Sequence, residues 1–124
     1  MLVVAAVGND GPAAPPAYPA SYDSVVAVTA VDGKRRALIE AGRALHLDYA
    51  APGADIRGLN AKGKRITLRG TSFAAPLVAA RLANAIGWGR NWRNALDSEA
   101  EDLGKKGADP VYGRGLLCGS CKGR

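Results

Sequence analysis

Two largely apolar runs constrain the fold of this chain more than any other feature. Leu2–Val7 and Ser24–Val31 contain no charged residue, and the second is rich in β-branched valine. A short run without polar alternation is typical of a strand buried on both faces, as in a parallel sheet. Each run therefore needs cover on both sides, which predicts an α/β architecture.

The remaining elements follow from turn signals and apolar periodicity. A third short strand is predicted at Leu47–Ala51, before Pro52-Gly53, and Lys34–Leu47 is compatible with a short helix or an irregular excursion. Gly58–Arg65 predicts a surface loop or hairpin that pairs briefly with Ile66–Leu68. Helices are predicted from Gly70 to about Ile86 and over Asn91–Leu103. Because two helices are few for a doubly wound sheet, the chain is expected to be part of one.

Composition narrows the functional classes. The 124 residues suffice for one domain, two cysteines are too few for a disulfide scaffold, and no apolar stretch reaches the ~20 residues of a membrane span. The first residues lack a basic segment typical of an export signal. A net charge of +6 and Trp88 and Trp92 beside a basic cluster would permit nucleic-acid binding. Basic clusters are more often solvated surface, so neither a nucleic-acid nor a membrane partner is predicted.

Two segments carry residue types suited to chemistry. Asn9 directly follows the first apolar run, and ligands of open α/β sheets bind at that edge of the sheet. Ser72 opens the long helix, where free N–H groups and the helix dipole favour a nucleophile and an oxyanion. Each segment alone has a simpler interpretation. Asn9 then belongs to a turn, and Thr71 or Ser72 is the N-cap of the helix.

Together these segments resemble the C-terminal half of the catalytic domain of the subtilisin-like serine proteases, or subtilases. Residues 70–76 match the nucleophile motif Gly-Thr-Ser-x-Ala-x-Pro, and residues 6–11 match Ala-x-Gly-Asn-x-Gly. Residues 18–28, 51–53 and 107–116 resemble further family segments in the same order. The resemblance implies a parallel-sheet subtilisin-like fold, present in part, over residues 1–117. Residues 118–124 are then a Cys/Gly/basic tail.

The resemblance also implies roles for individual residues. Ser72 would be the acylating nucleophile, and Asn9 would donate its side-chain amide to the oxyanion. Ala5, Ala6, Val7 and Gly8 would form part of the wall of the substrate pocket. The substrate would be a peptide or protein, and no cofactor or metal is expected. Family members are often secreted or periplasmic, while the location of this chain stays open.

The base and its orienting acid are not found at family positions. In subtilases the order is Asp, His, Ser, and both precede the oxyanion asparagine, whereas only eight residues precede Asn9. His46 follows Asn9 and lacks the family motif, which favours a surface or strand-edge histidine. The chain alone is therefore expected to be inactive. It is a fragment of an endopeptidase, a non-catalytic peptide-binding remnant, or a partner of an upstream segment or separate chain that supplies Asp and His.

One further motif, Cys118-Gly119-Ser120-Cys121, lies near the carboxyl terminus. A zinc site needs about four ligands, and a redox motif is expected near a βαβ unit rather than in a Gly-rich tail. The sequence therefore favours a pair of tail thiols, oxidised if the protein is exported.

Overall fold

The computed structural model describes residues 1–121, and its centre is a three-stranded parallel sheet. The strands are β1 (Val3–Ala6), β2 (Val25–Val31) and β3 (Tyr49–Pro52), in the order β1-β2-β3. Val3 pairs with Val25, and Val28 pairs with Tyr49. The predicted α/β class with a parallel sheet is confirmed, and the three carboxyl ends of the strands lie at one edge.

The central strand and the first strand differ in burial. All seven residues of β2 are buried, as the apolar run predicted. In β1 only Ala5 is buried, and Val3 is 39% exposed. The expectation that β1 is buried on both faces is therefore wrong for this chain, because the cover on its faces is incomplete. Val4 packs only partly against the cluster that includes Ala74 and Val78 of the long helix, and Ala5 lies in a small separate cluster.

One long helix covers the sheet. The helix α1 (Thr71–Gly87) packs on all three strands and buries Ala74, Val78 and Leu82, whose spacing is that of the apolar periodicity behind the predicted helix. Ile86, where the predicted helix ends, is 49% exposed. Within the described residues, neither helix has the length and apolar character needed to cross a membrane.

The second helix is shorter than predicted. The helix α2 spans Trp92–Glu99 rather than 91–103, and the Asn91 side chain accepts a hydrogen bond from the Asn94 N–H at its start. It ends because Ala100 is extended and the backbone of Glu101 pairs with that of Leu116. The same C-terminal segment is held on β3, because the Leu117 N–H donates to the Ala50 carbonyl.

The other segments are a hairpin, an excursion and the tail. Strands β4 (Ile56–Leu59) and β5 (Arg65–Leu68) form the predicted hairpin as a separate antiparallel pair. Residues 34–47 are irregular rather than helical. Cys118 and Cys121 form a disulfide, so the tail thiols are oxidised here. The basic cluster at 122–124 lies outside the described residues, and the domain boundary after Leu117 stays a prediction.

Candidate active site at the start of the long helix

The start of α1 meets the loop that follows β1, and glycine makes this approach possible. Gly70 is the N-cap residue with φ 143° and ψ 163°, a conformation that is essentially restricted to glycine. A Cβ atom at this position would lie 3.4 Å from Nδ2 and 3.5 Å from Oδ1 of Asn9. The Gly70 N–H donates to the Gly53 carbonyl at 2.8 Å, which fixes the helix start beside the end of β3.

Asn9 caps the helix from a distant part of the chain. Its Oδ1 accepts the Thr71 N–H at 2.9 Å and lies 3.2 Å from the Thr71 hydroxyl, which donates to it. This satisfies one of the four N–H groups that a helix start leaves free. Because the carbonyl end of the amide is held in this way, the orientation of the NH₂ group is fixed. That NH₂ group has no hydrogen-bond partner within residues 1–121.

Thr71 joins the two segments a second time. Its Oγ1 accepts the Gly8 N–H at 3.2 Å, and the side chain is fully buried. The loop after β1 is tied further by Gly42 N–H to the Gly8 carbonyl at 2.7 Å. The sequence indicated Thr71 only as a possible cap, but the structure makes it a buried link between β1 and α1.

Ser72 occupies the second position of α1 and is exposed. Neither its hydroxyl nor its N–H has a hydrogen-bond partner among the residues that the structure describes. The alternative that Thr71 or Ser72 is the N-cap is wrong, because Gly70 is the N-cap and makes no side-chain capping bond. Ser72 thus combines a free hydroxyl, a free N–H and the positive end of a helix dipole.

An ion pair borders this region. The Arg69 Nε and Nη2 donate to Glu40 Oε1 and Oε2 at 2.6 and 3.0 Å. These hydrogen bonds hold the pKa of the Glu40 carboxyl below its usual range and raise the pKa of Arg69. Since the Glu40 carbonyl also accepts the Gly11 N–H, the pair links the hairpin to the loop that carries Asn9. Sequence reasoning did not find this pair, because no local pattern joins residues that lie 29 positions apart.

The only histidine lies at the other end of the sheet. His46 Nε2 is 2.9 Å from the carbonyl of Val25, the first residue of β2, and 3.7 Å from Asp48 Oδ2. Asn9 follows the opposite, carboxyl end of the parallel pair. At 3.3 Å per residue, the length of β2 separates these ends by roughly 20 Å. This position fits the strand-edge histidine that the sequence favoured.

The four residues before Asn9, which lie at the end of β1 and in the loop after it, differ in burial. Ala5 and Val7 are buried in one hydrophobic cluster with Ala20 and Ala27. Ala6 and Gly8 are half-buried. Their role as a pocket wall stays a prediction.

A comparison with known proteins identifies the family. Residues 1–115 match the sequence model of the subtilase family. This chain belongs to the subtilase family. The match confirms the resemblance drawn from residues 6–11 and 70–76, and both segments lie within the matched range. The roles of Asn9 and Ser72 stay predictions.

Similar subtilases include the minor extracellular protease Epr of Bacillus subtilis (strain 168) and subtilisin DY of Bacillus licheniformis. Each is 34% identical, over 122 and 125 residues, and each alignment covers 94% of this chain. The alignments cover 19% and 44% of those two proteins, so this chain spans less than half their length. The partial subtilase domain inferred from the sequence is consistent with this.

Two solved structures share the fold. The prenylagaramide maturation protease PagA superposes with a TM-score of 0.74 at 32% identity, covering 94% of this chain and 47% of its own. A psychrophilic protease, S41, gives a TM-score of 0.81 at 24% identity with the same coverage. The subtilisin-like fold is therefore shown for this chain, as about half of each of these structures.

Proposed function

We propose that Ser72 is the nucleophile of a peptide-bond hydrolase and that the Asn9 NH₂ group stabilises the oxyanion. The observation that carries this proposal is the fixed amide of Asn9. Its Oδ1 is engaged by Thr71, so the NH₂ group is held beside the start of the helix that bears the exposed Ser72. Donors that are aimed before the reaction cost no reorganisation when charge develops.

The proposed reaction at Ser72 is acyl transfer. The hydroxyl oxygen attacks the carbonyl carbon of the scissile bond, and a base removes its proton. The negative charge that develops on the carbonyl oxygen is met by the Asn9 NH₂ group and by the free N–H of Ser72. The leaving amine takes a proton from the protonated base, and water then releases the acyl group from Ser72.

The proposed substrate is an extended peptide or protein segment that lies against β1. Within the described residues this strand pairs with β2 on one side only. Ala6 and Gly8 are half-buried beside Asn9, and their small size leaves room for a substrate side chain, which supports their proposed role in the pocket wall. Ala5 and Val7 are buried in the core cluster, so they are proposed to support this wall from behind.

The base and its orienting acid are proposed to come from outside residues 1–124. His46 lies roughly one strand length from the site, as estimated from the strand rise. A serine hydroxyl without an adjacent base is a weak nucleophile near neutral pH. The chain alone is therefore proposed to be inactive, and an upstream segment or a separate chain would supply Asp and His.

Fluorophosphonate labelling tests this function. The DNA upstream of Met1 is first read for in-frame Asp-[Ser/Thr]-Gly and His-Gly-Thr segments. We expect weak labelling of residues 1–124 alone and strong labelling once a segment carrying Asp and His is present. Ser72→Ala should abolish labelling, whereas Ser98→Ala, a matched change at an exposed serine of α2, should not alter it.

Asn9→Asp separates the two roles of Asn9. The aspartate keeps an oxygen acceptor for Thr71 but lacks the NH₂ donor. Turnover is measured with the segment carrying Asp and His present, and under those conditions the fold should survive while turnover falls. The expected loss is on the order of 10²–10³, the value established for subtilisin itself. Full activity of Asn9→Asp, or strong labelling of Ser72→Ala, would overturn the proposal. Strong labelling of the isolated chain would show that a base lies within it, and His46→Ala would identify it.

A further inference from the structure

The hairpin next to the proposed active site has an unbalanced charge. Residues 56–70 contain five basic residues and no acidic residue. Arg69 is paired with Glu40. The other four, Arg57, Lys62, Lys64 and Arg65, are exposed and form no ion pair with any residue in the range 1–121. We refer to these four as the hairpin cations.

The strand register sorts the hairpin into two faces. Arg57 pairs with Thr67 and Leu59 pairs with Arg65, and all four are exposed, so they share the outer face. The inner face holds Ile56, Ile66 and Leu68, with the Leu68 side chain directly over Gly58. The outer face therefore presents two guanidinium groups around Leu59, which is 67% exposed.

The turn holds the two lysines in place. Asn60 Oδ1 accepts the backbone N–H groups of Lys62 and Lys64 at 2.9 and 3.0 Å. Asn60 N–H donates to the Lys64 carbonyl, and Gly63 N–H donates to the Asn60 carbonyl. The backbone of the turn is thus closed by four hydrogen bonds of its own residues, so the hairpin cations sit on an ordered support.

We propose that the outer face of this hairpin is an exosite that binds an acidic segment of the polypeptide substrate. This inference rests on the proposed function of Ser72. β5 continues through Arg69 and Gly70 directly into the helix that carries Ser72. Ser72 lies seven positions after Arg65, which limits the distance between them to roughly 24 Å, about seven residues of extended substrate.

The composition of the surface favours a polypeptide over other anions. Stacking on aromatic side chains is the usual anchor for single-stranded nucleic acid, and residues 54–72 include no aromatic residue. Insertion into a lipid surface needs apolar groups on one side, but Leu59 and Ile66 lie on opposite faces. An acidic peptide with an apolar residue matches the outer face, because carboxylates pair with the guanidinium groups and Leu59 accepts an apolar contact.

Fluorescence anisotropy with the full 124-residue chain tests the exosite. The probe is a labelled peptide of alternating Glu and Leu, compared with the same peptide carrying Gln for Glu. Every measurement uses the Ser72→Ala background, so the binding readout is independent of catalysis. We expect the Glu peptide to bind and the Gln peptide to bind far more weakly, with affinity falling as salt rises.

Two charge-matched double variants locate the binding. Arg57→Gln with Arg65→Gln should weaken binding of the Glu peptide about fivefold, from two exposed ion pairs. Lys105 and Lys106 are exposed and form no ion pair with any part of the chain that the structure describes. Lys105→Gln with Lys106→Gln should therefore leave binding within about twofold. Circular dichroism verifies that both variants retain the fold.

Three outcomes would overturn the exosite. They are equal weakening by both double variants, equal binding of the Glu and Gln peptides, and tighter binding of a short oligonucleotide or of phosphatidylserine vesicles through the same arginines. Failure of Ser72 labelling with retained, arginine-dependent peptide binding would instead overturn the proposed catalytic function and leave the binding surface in place.

Discussion

Replacement of Gly70 by alanine tests how the start of α1 is built. Gly70 has φ 143°, and an alanine Cβ would lie 3.4 Å from the Asn9 amide nitrogen. That distance is an ordinary van der Waals contact, so the backbone conformation is the main obstacle. To relieve it, the chain must rotate Gly70 and pull Thr71 away from Asn9.

The expected cost has two parts. An alanine held in this region of backbone space costs about 1–3 kcal/mol. Weakening the hydrogen bond from Thr71 N–H to Asn9 Oδ1 adds about 1 kcal/mol. We therefore expect Gly70→Ala to lower the free energy of unfolding by about 2–4 kcal/mol.

Two other glycines provide matched controls for the same chemical change. A Cβ at Gly87 meets no atom within 4 Å, and Gly87 lies in α1 with an ordinary φ, so alanine should be neutral or stabilising by less than about 1 kcal/mol. Gly63 is equally open but has φ 73°, so alanine should cost about 1–2 kcal/mol. Gly87→Ala thus measures the change in open space, and Gly63→Ala adds backbone strain. Gly70→Ala adds backbone strain beside Asn9.

Urea unfolding followed by tryptophan fluorescence measures these differences. Trp92 packs against the core and under Arg93, so its emission reports loss of the fold. Low protein concentration and trimethylamine N-oxide, which favours the compact state, provide a folded baseline for every variant. If Gly70→Ala costs no more than Gly63→Ala, the close approach of Asn9 does not contribute, and the reasoning about the helix start is wrong.

Two further predictions concern pH and self-association. Arg69 holds the pKa of Glu40 below 4.5, so ionised Glu40 stabilises the folded chain above about pH 4.5 and this contribution is lost as pH falls further. Glu40→Gln should therefore flatten the decline of the urea midpoint between about pH 5 and pH 3, and an unchanged slope would contradict the pair's role. The open β1 edge should make the 124-residue chain associate in sedimentation experiments, and Val3→Lys should reduce this association. Val111→Lys changes a similarly exposed valine away from that edge and should not reduce the association. A wild-type chain that is monomeric and unfolds cooperatively would refute the expectation.

The sequence alone determined those features that depend on local patterns. The buried strand β2 followed from an uncharged, β-branched run, and α1 followed from apolar spacing after Gly70. The family followed from two short motifs around Asn9 and Ser72, because each motif is contiguous in the chain. The length of α2 was overestimated, since its end is set by pairing of Glu101 with Leu116 and by no local stop signal.

The tertiary structure alone decided how the site residues are held. Asn9 and Thr71 are 62 positions apart, yet Asn9 rather than any neighbour in sequence caps the helix. The sequence favoured Thr71 or Ser72 as the cap because capping preferences describe only residues next to the helix start. They cannot predict a hydrogen bond from the side chain of Asn9, which follows a different strand. That distant cap frees Ser72 from a structural role. Its hydroxyl is exposed at the helix start because a side chain brought there by the parallel sheet satisfies the backbone in its place.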